Sequence, residues 1–500
     1  MWNVVAMLWP AVLTFLLTPL LIGRLHEDRY GLYLLLFSVS ALFGLASLGV
    51  GDATVRYVSR YQASQDLRGV NRIMGTALLI CVTTSSLMAV VMITFAPQVA
   101  GSFKMDAGLL PLATDVLRIL SVGFWLSAFS DAVLCVATAV ERYDIAGKVN
   151  LVIATVNAAL TVLLLESGYG VRALAGLTAI RALLVLCIAG YVVRRLIPGI
   201  RLVPVWDTRG VKEVFGFGFF SFVNQIICML AMHIDRLLLG WAFGVREVAY
   251  LTVPRQLLER GESAVGSAGS VLFPRFSALG DDAEALRRLY RDSAWALLCL
   301  SLVIFVPTTV LMPDLLTLWV GAEFAKEAAF TAQLIAACLA TRGCFGAYFE
   351  LLKGTGRIRS LTALFAGTTL IGVFIAIPLL LHFGLNGAGY RVWVLAWTGY
   401  VILAVVWRKL LAGTFSDIFV AVGEPLAVAL VLAVAMVWLR GVIHTISWPV
   451  TIGLWGVFCG VLAAGLGLMN AWRYGSTGPA LRLAGTLKVR FLGRKAGHRG

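Results

Sequence analysis

The stretch LAMHIDRLLLGW, residues 230–241, sets His233, Asp235 and Arg236 into otherwise apolar sequence. A little further on, TVPRQLLERGESAVGSAGSVLFP, residues 252–274, adds Arg255, Glu259, Arg260 and Glu262. Each charge placed in an apolar helix costs about 2.5 to 3.5 kcal/mol on insertion scales, so such residues face the protein interior. A guanidinium offers a planar fork of donors that fits phosphate oxygens two at a time. The chemistry within reach is therefore the holding of an anion in a cavity. On a helix Arg255, Glu259, Glu262 and Gly266 share one face, while Arg260 lies about 140° from Arg255. Asp235 and Arg236 are consecutive and diverge by about 100°, which prevents a good mutual pair. Each needs a partner on another helix, in a watery cavity or on a ligand. Against this stands a structural alternative, in which Arg255 and Glu259 form a helical ion pair and GESAVGSAGS is a small-residue packing surface. For Asp235, Arg236, Arg255, Arg260, Glu259 and Glu262 the cavity role is favoured, with Asp235 and the arginines as substrate-binding residues and Glu259, Glu262 and Asp52 as candidate coupling or cavity acids.

Other charged residues read differently. Arg118, Arg181 and Arg342 also fall in apolar runs, and all are expected to be structurally paired, Arg118 with nearby Asp115 and Arg342 with nearby Glu350. His233 reads as a satisfied buried histidine. Asp52, in SLGVGDATVRYVSRY, suits either the start of an interfacial helix or the inner mouth of a cavity. The 8 cysteines make no CxxC pair and the 5 histidines show no ligand spacing, so neither metal nor cofactor is expected.

The elements that must carry these residues are membrane helices. Of 500 residues 60% are hydrophobic and only 13% are charged, far from the balance of soluble domains. The expected fold class is all-α, a polytopic membrane protein with about 14 spans of about 20 residues. The first, 2–23, lacks the basic leader of a signal peptide and is expected to be retained. The seventh and eighth, 214–241 and 247–273, hold the charges above, and 328–352 is expected as one span. Two polar stretches, 54–72 and 276–292, are expected as short interfacial helices.

Most of the 41 Lys and Arg residues fall in loops on one side of this scheme, which puts both termini in the cytoplasm. Net charge +15 is then explained by topology and anionic lipid, not nucleic acid. The chain also repeats itself at about 216 residues. Tyr33 matches Tyr250, Pro97 matches Pro313, Arg142 matches Arg357 and Gly168 matches Gly384. Each repeat holds six spans, so two six-helix bundles in parallel pseudo-repeat are expected, with an extra helix pair behind them. The expected divisions are 1–198, a linker 199–213, 214–412, the extra pair 413–472 and a basic cytoplasmic tail 473–500. Transporters built on such repeats bind cargo at the repeat interface near the bilayer midplane.

TPLLIGRLHEDRYGLYLLLFSVSALFGLASLGVGDATVRYVSRY resembles the opening of Wzx-like oligosaccharide flippases of the multidrug/oligosaccharidyl-lipid/polysaccharide (MOP) exporter superfamily. HIDRLLLGWAFGVREVAYLTV resembles the start of their second half, and VLFPRFSAL and LMPDLLTLWVG fit as well. The resemblance covers about residues 1–410. It implies two bundles in a V, a cavity lined by helices 1, 2, 7 and 8, and a place for Asp235, Arg236, Arg255 and Arg260 on that lining. It also implies movement of undecaprenyl-diphosphate-linked oligosaccharide from the cytoplasmic to the outer leaflet of a bacterial inner membrane. Proton or sodium coupling and polysaccharide-assembly partners go with it. The first half departs from the lipid II-type pattern, because its lining spans carry only terminal Asp52. The runner-up is a cation-coupled multidrug exporter (MATE-like), which Glu259, Glu262 and Asp235 keep open. An enzyme is not expected, since no large outer loop or acidic catalytic motif is present and GDDAEA, 280–285, reads as a helix start.

Overall fold

A computed structural model describes residues 2–474 except Leu48, Glu141, Asp281, 411–418 and 444–446. The expected basic tail, apart from its first two residues, thus lies outside the described residues. The described chain is helical, with no strand among the described residues. By internal packing it divides into two compact units, Met1–Val253 and Pro254–Gly500.

The first unit opens with α1 (Trp2–Ser40), which continues as a 3₁₀ segment, Ala41–Ser47. His26 breaks α1 with φ 62° and ψ 163°, a conformation that is rare for a non-glycine residue. After this come α2 (Val50–Ala63), α3 (Leu67–Thr94), α4 (Ala96–Gly101), α5 (Leu110–Ala139), α6 (Tyr143–Glu166), α7 (Val171–Leu196), α8 (Thr208–Ala242) and the start of α9 (Val245–Ser270). Asp66 and Asp207 begin α3 and α8 by accepting hydrogen bonds from the Gly69 and Gly210 N–H groups, as N-cap carboxylates do. The core packs α2 on α3, α5 and α7 through Val58, Ile73, Met74, Val136 and Val193. α5 and α7 approach closely at Gly123, where a Cβ would stand 1.9 Å from the Thr178 hydroxyl oxygen.

The second unit continues α9 from Pro254 and adds α10 (Phe273–Leu279), α11 (Ala283–Val320), α12 (Ala322–Thr341), α13 (Gly343–Gly354), α14 (Ile358–Phe383), α15 (Leu385–Leu410), α16 (Glu424–Val442) and α17 (Trp448–Tyr474). The Asp282 carboxylate accepts from the Ala285 N–H at 3.0 Å, so the helix start expected at GDDAEA is present. α11 begins there, and the stretch expected as a separate interfacial helix is α10 plus the first turns of α11. Likewise, the single span expected over 328–352 is broken, with α12 and α13 bent by 48°. Gly343 follows the break, where any Cβ would come within 2.3 Å of the Leu297 carbonyl oxygen. α16 and α17 dock on α11. Arg440 forks onto the Asp314 carboxylate, and the Trp455 indole donates to Thr308 at 3.1 Å.

Eleven described helices are long and apolar enough to cross a membrane, or twelve if the bent α12–α13 pair is one span. This is fewer than the expected number for two reasons. The first two expected spans run together as one apolar helix despite the His26 break, and α9 is too polar to qualify. The repeat recurs in the backbone. Arg142 and Arg357 each precede the first turn of a helix, α6 and α14. Gly168 and Gly384 each follow the end of that helix, with φ 77° and 57°.

Candidate functional site

α8 carries the first set of charges. Asp235 is buried, while His233 and Arg236 are half-buried, and Arg236 lies close enough to Tyr30 of α1 to act on it electrostatically. α8 ends at Phe243, and Gly244, with φ 125°, turns the chain into α9. A latch forms at this turn. Arg246 grips Asp28 just after the His26 break, its Nη2 standing 2.7 Å from Oδ2. The Tyr250 hydroxyl donates to Glu27 at 2.6 Å, and the Lys104 N–H donates to the Gly240 carbonyl at 3.0 Å. Gly31 lets the segments close, since a Cβ there would meet the Val245 carbonyl oxygen at 2.0 Å. The hydrogen bonds that Arg246 donates to the Asp28 carboxylate raise the guanidinium pKa above its ordinary range.

In the second unit α9 is a polar helix. Arg255 Nε donates to Glu259 Oε1 at 3.1 Å, the local pair that the four-residue spacing allows. Glu262 faces Arg342 at 3.6 Å, with Phe305, Phe345 and Ser301 around a cavity of about 150 Å³. Arg260 is exposed and forms no ion pair among the described residues. Ser263, Ser267 and Ser270 are also exposed and turn their hydroxyls back onto α9 carbonyls.

Three expected pairings are corrected. Arg342 joins Glu262, and Glu350 instead accepts from Lys353 at 3.0 Å. Asp115 binds Arg172 at 2.7 Å, while Arg118 reaches the Ile93 carbonyl. Tertiary neighbours compete with residues nearby in the chain, and here they win. Arg181, expected to be paired, forms no ion pair among the described residues and faces a cavity. Asp52 is exposed in the first turn of α2, where the helix dipole favours a carboxylate.

Sequence reasoning overlooked that cavity. It lies within the first unit and measures about 410 Å³, in the range of small-molecule sites. Asp131 of α5 and Arg181 of α7 are its charged lining residues, joined by Ser127, Gln225, Phe43 and Phe124. Gln225 Nε2 donates to the Gly44 carbonyl at 2.9 Å. The available signal was Asp131 itself, a carboxylate deep in an apolar run.

Comparison with known proteins accords with this architecture. The chain is 22% identical over 405 residues to an uncharacterised membrane protein of Methanocaldococcus jannaschii, covering 77% of this chain and 79% of that one. It is 21% identical over 309 residues to a Shigella flexneri protein named as an O-antigen transporter, covering 61% and 72%. Among solved structures, an inward closed form of the lipid II flippase MurJ aligns with TM-score 0.75 at 10% identity, over 92% of this chain and 97% of that one. An inward-facing MATE multidrug transporter of the MOP superfamily aligns at 0.65 and 15% identity, over 80% and 96%. These likenesses show the fold of MOP transporters. A family model described as "Polysaccharide biosynthesis protein" matches residues 21–328, well over half of the sequence, and the chain therefore belongs to that family, as a multi-helix membrane protein with the fold seen in MOP transporters.

Proposed function

We propose that the protein flips a polyprenyl-diphosphate-linked oligosaccharide from the cytoplasmic to the outer leaflet of a bacterial inner membrane. Its two helical repeats, 1–198 and 214–412, alternate access to the cargo, and both termini lie in the cytoplasm. Arg236, Arg255 and Arg260 hold the diphosphate, Asp235 contributes to the polar cavity that takes the head group, and the lipid tail stays in the bilayer. The observation that carries this reading is the polar face of α9. There an exposed Arg260 stands beside exposed Ser263 and Ser267, on a helix too hydrophilic to face lipid. The acids Glu259 and Glu262 are each matched by an arginine, which favours an anionic cargo over an organic cation. The MurJ-like fold and the O-antigen transporter relative support the same cargo class.

Deletion of the gene should cause lipid-linked oligosaccharide to accumulate facing the cytoplasm. Arg255→Gln and Arg260→Gln should each lower export about tenfold or more, as expected for a charged contact worth about 1.5 to 3 kcal/mol, with the protein still in the membrane. Normal export in both variants would overturn the assignment.

A further inference from the structure

We infer that the cavity of the first unit, between Asp131 and Arg181, is a saccharide subsite that holds a sugar ring of the cargo. This deepens the proposed function and rests on it. The cavity presents one carboxylate and one guanidinium, exposed to its interior, and neither is engaged in an ion pair or hydrogen bond among the described residues. This charge balance decides the ligand class. A phosphate drawn to Arg181 meets Asp131, and a cation drawn to Asp131 meets Arg181, so either ion finds its attraction cancelled.

A polyhydroxylated ring suits both groups at once, since each hydroxyl can donate to the carboxylate or accept from the guanidinium. Gln225 and Ser127 add shorter polar groups to the same wall, and Phe124, backed by buried Phe43, supplies aromatic surface for the C–H face of a ring. The two rings stack at 6.1 Å with 19° between planes, which fixes that apolar wall. The α5–α7 approach at Gly123 holds the helices bearing Asp131 and Arg181 at a set distance. A cavity of about 410 Å³ has room for such a ring.

The test uses full-length protein in lipid nanodiscs and two ligands. One is undecaprenyl diphosphate without sugar; the other is the lipid-linked saccharide extracted from cells lacking the gene. Asp131→Asn and Arg181→Gln are each expected to weaken binding of the lipid-linked saccharide about tenfold. Affinity for the bare diphosphate should stay at the parental level, whereas Arg260→Gln should weaken both. Parental affinity for the saccharide in both cavity variants overturns the subsite and leaves the flippase reading intact. Equal loss of both ligands also overturns it, by showing a purely structural role. If Asp131→Asn binds saccharide normally but abolishes the pH dependence of export, Asp131 is a proton site and the inference falls. Failure of the parent to bind either ligand sinks both readings together.

Discussion

At Gly123 a single hydrogen atom in place of a side chain lets α5 and α7 come together against Thr178. Adding a methyl group at such a contact costs about 1 to 3 kcal/mol. Gly123→Ala should therefore lower the melting temperature in detergent, and Thr178→Ala introduced beside it should recover most of the loss. A double mutant that melts no higher than the single one would show that the contact does not limit the packing. Individual residues differ in how far the sequence alone betrays their partners. Arg255 and Glu259 are a helical turn apart, so their pair was legible from spacing. The Arg342–Glu262 and Arg172–Asp115 pairs join distant segments, and chain proximity pointed to the wrong partners for Arg342 and Arg118. Arg181 was visible as a costly charge, whereas Asp131 went unremarked in its apolar run, and only the folding of α5 beside α7 places the two on one cavity.

Among elements, α16 is tied to α11 by one ion pair with little solvent around it. Arg440 and Asp314 have side chains 21% and 10% exposed, and breaking a buried pair by removing one member costs about 3 to 5 kcal/mol. Arg440→Met alone and Asp314→Leu alone should each destabilise by about that amount, whereas the double substitution should cost less than either. Thermal unfolding of the three variants in detergent checks the order. Helices were the most legible elements, because long apolar runs leave few alternatives in lipid. Their interruptions were less so: His26 breaks α1 without glycine or proline, and α12–α13 breaks where tertiary contact with Leu297 leaves room only for Gly343. The repeat was legible because arginines and glycines recur at a nearly constant offset: Arg142 and Arg357 each stand before a helix start, and Gly168 and Gly384 each fall just past a helix end with positive φ.

For the whole molecule, the latch of Asp28 and Glu27 with Arg246 and Tyr250 ties the turn inside α1 to the turn that opens α9. Arg246 is 61% exposed, so the pair adds no more than about 1 kcal/mol to stability. Its influence should appear in the transport cycle instead. Asp28→Arg and Arg246→Asp are each expected to lower export while leaving the melting temperature nearly unchanged, and the combined swap should restore export. A swap as defective as the single variants would rule out a charge-mediated role. The polar character of α9 has a consequence for biogenesis. A segment bearing Arg255, Glu259, Arg260 and Glu262 does not partition from the translocon into lipid by its own hydrophobicity. Its charges can leave water only once other helices shield them, so the order in which the helices are made should bear on whether this segment is accommodated.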